Sequence, residues 1–168
     1  MTAVYHLEDN CPACGAFVVG GREGCQATFD ELTARAYADP TYASMRDLAF
    51  DTYCMQHLET YCRSAKSYAA HLMRLCCGID YSGDPRVYEA IQHWLNVSVK
   101  IEKPQVLSQL GTMTVVDVRQ EQTAEEHARL VRAWAANVWE AYRSQHDLAH
   151  AWIEAALAAR EGTTPKRG

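Results

Sequence analysis

From residue 28 onward, apolar and polar positions alternate with the three-and-four spacing of amphipathic helices. Thr28 and Glu31 form a capping-box pattern ahead of "FDELTARAYA", which predicts a helix to about Ala38. Asp39-Pro40 then supplies an N-cap followed by proline at a first helical position, predicting a second helix from Pro40 to about His57. In it Tyr42, Met45, Ala49, Thr52 and Gln56 share one stripe, and Phe50, Tyr53, Cys54 and His57 share its neighbour. Ser64 can cap a third helix with Tyr68, Leu72, Leu75 and Cys76 on its apolar face, His71 at the edge and Gly78 as the stop. Asp84-Pro85 repeats the cap and opens a fourth, with Val87, Ile91, Trp94 and Leu95 on one face.

The stretch 96–122 is less regular, and its "TVVDV" at 114–118 reads as a short strand or an extended link. Thr123 with Glu126 caps the longest helix, to about Ala159, whose face reads His127, Leu130, Val131, Trp134, Val138, Ala141, Gln145, Leu148 and Trp152. Residues 1–27 differ: Pro12, Gly15, Gly20, Gly21 and Gly24 break any period, leaving a turn-rich segment or small ribbon around Ala16–Val19. The expectation is an all-α fold. A single helical domain (1–160) holds a bundle of about five helices (28–160) behind an irregular, cysteine-containing, metal-binding knuckle (1–27), and 161–168 form a disordered tail.

A chain of 168 residues, 48% hydrophobic and 22% charged, has the size and composition of one globular unit. Its formal charge is -5 and its basic residues are scattered, so the basic stripe of a nucleic-acid partner is missing. There is no run of eighteen apolar residues and no secretory pattern, which argues against a membrane partner and for a cytoplasmic protein. Seven cysteines, at 11, 14, 25, 54, 62, 76 and 77, then read as thiols or ligands rather than as a disulfide scaffold.

The stretch "NCPACG" places Cys11 and Cys14 on one tight turn, where both sulfurs can reach a single ion. Zinc in such sites takes four soft or borderline ligands in a tetrahedron. Cys25, in the same glycine-rich segment, is the third candidate; His57 is the first choice for the fourth, and Cys54 the second. A redox dithiol and plain structural cysteines are the competing readings, but a redox motif follows a strand and opens a helix, and here both flanks read as loop. A site of this closed kind staples the knuckle to the bundle and catalyses nothing.

Two further functional classes stand beside it. His57, His71 and His146 lie on three separate helices that a bundle could converge into an open, second metal centre, with Asp51 orienting a histidine and Gln56 or Tyr53 adding a hydrogen bond. Such an enzyme would carry Asp51, Gln56, His71 and His146 as catalytic residues and take a small-molecule ligand. The competing reading makes these histidines satisfied polar residues at the edge of the core. His146 and His150 share a helix face, which reads as solvated, and Cys76-Cys77 reads as simple burial. Trp94, Trp134, Trp139 and Trp152 read as core and interface anchors, which admits a non-catalytic homodimer built on the C-terminal helix. No dinucleotide, phosphate-loop, serine-hydrolase or metalloprotease motif is present.

In the order "CPACG", "GC" at 24–25, "DPTYASM", "FDTYCMQH" at 50–57, "SAKSYAAHLMRL" at 64–75, "MTVVDV" at 113–118 and "WAANVWEAYRSQH" at 134–146, the chain resembles a family of small, uncharacterised bacterial proteins, a domain of unknown function. The resemblance spans most of the chain and implies that Cys11, Cys14, Cys25, Asp51, Gln56, His57, His71, Trp134, Trp139 and His146 match the family pattern. It implies a metal site beside a polar pocket and no particular reaction. Leu58 stands where a proline usually follows the histidine, and Arg46 where a histidine is common, which removes one candidate ligand.

Overall fold

A computed structural model describes residues 8–97, 99–119 and 123–162. The described residues are mostly helical and include a two-stranded antiparallel ribbon, β1 (Glu8–Asn10) and β2 (Phe17–Val19), in which Asp9 pairs with Val18. Six long helices follow: α1 (Gly21–Ala38), α3 (Arg46–Gln56), α5 (Ala65–Asp80), α6 (Pro85–Asn96), α8 (Ala124–Ala141) and α9 (His146–Gly162). Three single turns, α2 (Pro40–Ala43), α4 (Leu58–Tyr61) and α7 (Val115–Val118), lie between them. The all-α expectation holds, with more helices than the five expected.

The centre of the bundle is α5, which touches α3, α4, α6, α8 and α9. Its sequence accounts for this, because Tyr68, Ala69, Leu72, Met73, Leu75, Cys76 and Cys77 are buried on more than one side of the helix. Ser64 caps α5 as expected, in a reciprocal pair with Ser67. Gly78 does not stop it. The helix continues to Asp80, and a Cβ at Gly78 would lie 2.5 Å from Leu48 Cδ1, so the glycine is there to let α3 approach α5.

Four other expectations need correcting. Helix α1 begins at Gly21, not near Thr28: Gly20 takes a left-handed φ of 87° at the N-cap, and Thr28 Oγ1 donates to the Gly24 carbonyl inside the helix. The helix expected from Pro40 to His57 is interrupted at Ser44–Met45, although Asp39 caps its first turn as read. The "TVVDV" cluster is a helical turn, because Thr114 and Asp117 satisfy each other's backbone N–H groups in a capping box that outweighs β-branched propensity. The long C-terminal helix breaks after Ala141 into a 3₁₀ turn, Arg143–Gln145, with neither glycine nor proline to mark it.

Tertiary hydrogen bonds fix that break. Tyr142 donates its hydroxyl to the Met55 carbonyl at 2.6 Å, and Tyr68 donates to Gln145 Oε1 at 2.7 Å. The irregular stretch made of residues 97 and 99–114 would be long for a structureless loop in a small domain. Side-chain amides pin it: Gln56 Nε2 donates to the Leu110 and Met113 carbonyls, Gln145 Nε2 to Gln105, and Asn137 Oδ1 accepts from the Thr112 and Met113 N–H groups. Glu161 and Gly162 still belong to α9, and the rest of the expected tail, 163–168, lies outside the described residues, as do residues 1–7 of the knuckle.

Candidate metal centre

The ribbon turn presents the first two sulfurs. The Cys11 N–H donates to the Ala16 carbonyl, and the Gly15 N–H returns to Cys11 O, each at 2.8 Å. This tight loop requires the left-handed φ of 79° that Gly15 supplies without strain. Cys25 enters from the N-terminal part of α1, not from a loop. It can do so because Gly24 lets the helix lie directly on β2: a Cβ there would sit 1.8 Å from the Val19 carbonyl oxygen.

His57 closes the site from the C-cap of α3. Its Nδ1 lies 2.7 Å from the Tyr53 carbonyl one turn back, so Nδ1 carries the proton and the bare Nε2 faces the thiols. Nε2 is 3.6 Å from Cys11 Sγ and 3.5 Å from Cys25 Sγ, and Cys14 Sγ is 3.7 Å from Cys25 Sγ. All four donor atoms lie within 4.8 Å of one another. A tetrahedral ion with metal–sulfur bonds of about 2.3 Å and a metal–nitrogen bond of about 2.0 Å has sulfur–sulfur edges of about 3.8 Å and sulfur–nitrogen edges of about 3.5 Å. The three short edges, Cys11–His57, Cys25–His57 and Cys14–Cys25, match those lengths, so these residues can hold a metal ion.

The surroundings suit a deprotonated Cys25. The hydrogen bond from Cys14, followed by His57 and Tyr53, holds the Cys25 thiol down to about 4, against burial that works the other way. Cys14 moves up in turn, first through that same hydrogen bond and then through burial, so without an ion the pair shares one proton. The Tyr53 hydroxyl stands 3.8 Å from Cys25 Sγ and 3.3 Å from Gln26 Oε1, and Tyr61 donates to the same Gln26 oxygen. The Tyr53 ring stacks between Phe29 and His57, with centroids 3.9 and 3.8 Å away. Tyr53 thus positions the imidazole with its carbonyl and covers it with its ring.

The two positions where the resemblance implied a departure, Leu58 and Arg46, leave the four-donor cluster intact. Leu58 is the first residue of α4, the position where proline's missing N–H and fixed φ are tolerated, so leucine keeps the same turn. Arg46 lies at the far end of α3 from His57 and pairs with Asp47. The Cys-x-x-Cys turn runs from one strand to the next instead of opening a helix, which removes the setting of a redox dithiol.

The other candidate residues do not join this centre. Cys54 is wholly buried outside the cluster, where burial pushes its thiol up, so the fourth donor is His57. His57, His71 and His146 are not brought together among the described residues. His71 Nδ1 meets Asp51 Oδ1 at 2.8 Å, and His146 Nε2 meets the Trp139 carbonyl at 2.8 Å while its ring stacks on Trp139. Gln56 spends its whole amide on structure, accepting from Trp134 Nε1 at 2.9 Å and donating to two loop carbonyls. Trp134 and Trp139 are buried, and Trp94 and Trp152 are half-buried against the core. Asp51 does face a groove of about 1120 Å³, whose lining includes Asp47, Arg74, Tyr88, Glu89 and Arg132.

Sequence reasoning missed Tyr53 as the anchor of His57, although its place four residues earlier on the same helix is a readable signal. It also missed Gln26 and the close approach at Gly24. None of the described helices is long and apolar enough to cross a membrane.

Residues 9–143 match the model of DUF5946, a family of unknown function, and the chain belongs to that family. The match takes in all four donors and stops short of α9. No curated protein and no solved structure matches the chain.

Proposed function

We propose that this DUF5946 member is a zinc protein in which Cys11, Cys14, Cys25 and His57 form a closed structural centre that staples the ribbon to the helical body. The observation that carries this reading is the three edges of 3.5–3.7 Å that link the four donors. Zinc fits three thiolates and one imidazole in a tetrahedron, and a fully protein-ligated ion stabilises the fold without an open position for chemistry. The need is evident in the ribbon itself. A hairpin of two three-residue strands is not stable alone, and only Cys11, Ala16 and Val18 of its described residues are buried. Three reduced thiols suit a reducing compartment, so the cytoplasm is the proposed location.

Chelation tests this. With a strong chelator, hydrogen exchange in residues 8–25 should rise to the unprotected rate while the core of α5 stays protected, because α5 has its own packing. Unchanged protection of the ribbon would count against the staple.

A second reading rests on the groove, in which the buried Asp51, held against His71, looks onto Arg74 and Tyr88. Convergent polar groups around a buried carboxylate favour a small-molecule ligand there. Native mass spectrometry of the protein as purified should show a bound small molecule that Asp51→Ala loses. A spectrum of chain and metal alone, with no stabilisation by any of a panel of small polar ligands, would remove this reading.

A further inference from the structure

We propose that Cys76, Asp80 and His150 form a second, open site for a borderline divalent cation of the zinc class. The site is independent of the four-donor centre. Cys76 and Asp80 stand four apart on α5 and so share a face, and α9 packs on that helix and brings His150 opposite them. Asp80 Oδ2 lies 2.8 Å from His150 Nε2 and 3.9 Å from Cys76 Sγ, and the three donor atoms fall within 4.8 Å of one another.

In a tetrahedral site the nitrogen–oxygen edge is about 3.3 Å and the sulfur–oxygen edge about 3.5 Å. Side-chain shifts of about half an ångström therefore bring the two Asp80 contacts to those edge lengths. The donor set selects the ion. One thiolate, one carboxylate and one imidazole offset a divalent charge, and a sulfur donor disfavours calcium and magnesium. Binding replaces the Cys76 thiol proton with the metal and releases that proton to solvent.

The placement leaves one side open. Cys76 is fully buried, whereas the Asp80 and His150 side chains are 32% and 35% exposed, so the ion would have sulfur beneath it and solvent above. Three protein donors with a free position is the arrangement that binds and polarises water, unlike the closed centre at the ribbon. His150 is held for this by the edge-on ring of Trp139 and by Tyr81, with centroids 6.2 and 6.1 Å away. His146, one turn earlier on α9, gives its Nε2 to the Trp139 carbonyl and is not among the donors of this site.

The competing account is a plain surface ion pair between Asp80 and His150. Titrating the metal-free full chain with Co2+ separates the two. Two steps are expected, the second adding about one third of the sulfur-to-cobalt charge-transfer intensity of the first, one thiolate against three. His150→Ala, a half-exposed position, should abolish the second step and keep the first, and Cys11→Ser should do the reverse. No second step, or a second step of unchanged size in His150→Ala, would overturn the proposal.

Discussion

Replacing Gln56 by leucine keeps the volume of the side chain and removes its amide, and the structure lets the cost be worked out. Three groups lose their partner: the Trp134 indole N–H and the carbonyls of Leu110 and Met113. Trp134 is fully buried, so its stranded N–H costs about 2 kcal/mol, and the two carbonyls, in a partly exposed loop, cost about 1 kcal/mol each. A total of about 4 kcal/mol is a large share of the roughly 5–15 kcal/mol that holds a domain together. With a urea slope of about 2 kcal/mol per molar, the unfolding midpoint should fall by about 2 M. A double-mutant cycle with Trp134→Phe should give a coupling of about 1–3 kcal/mol, because the two side chains share one hydrogen bond. Zinc content should stay unchanged below the transition. A midpoint shift under about 0.5 M, or no coupling to Trp134, would refute the structural role and return Gln56 to the list of candidate catalytic groups.

Other perturbations test separate parts of the account. Tyr53→Phe keeps the stacked ring and the carbonyl that holds His57 but removes the hydroxyl near Cys25, so zinc affinity by competition with a chelating dye should fall about tenfold; an unchanged affinity would show that the hydroxyl does not support the thiolate. Gly24→Ala puts a Cβ against the Val19 carbonyl and pushes α1 off the ribbon, so the purified variant should carry less metal; full occupancy would contradict the packing argument. Burial, and then the nearby Arg35 charge, keep the His127 imidazole below its ordinary range. The unfolded chain then binds the extra proton, so this residue's contribution is present above about 6.5 and is lost as pH falls below it. His127→Phe should flatten the stability–pH curve between about 7 and 5, and a parallel curve would show that His127 is not responsible.

What was legible in the sequence followed the strength of local signals. Asp39-Pro40, Ser64 and Asp84-Pro85 are cap signals with a backbone mechanism, and all three open helices where expected. The four donors were readable because a Cys-x-x-Cys turn limits the remaining ligands to residues that can fold back to it. The choice of His57 over Cys54 needed the tertiary fold, since both lie on one stripe of the expected helix. The errors share a cause. Thr28 satisfies the capping-box pattern but spends its hydroxyl inside α1, and Gly78 has the composition of a stop but serves a helix–helix contact. The break at Tyr142–Gln145 is made by hydrogen bonds to Met55 and Tyr68, residues more than seventy positions away, and no local pattern carries such information. His71 and His146 were equally plausible as ligands by spacing alone, and their partners, Asp51 and the Trp139 carbonyl, became visible only with the fold.

The central claim is that Cys11, Cys14, Cys25 and His57 hold one ion together, and its most direct test is zinc-edge X-ray absorption on the full chain loaded with one equivalent of zinc. The account predicts a four-coordinate shell of three sulfurs at about 2.3 Å and one imidazole nitrogen at about 2.0 Å, with one sulfur lost in Cys11→Ser. A shell made mainly of oxygen and nitrogen, or zinc that washes off the chain at neutral pH, would contradict it.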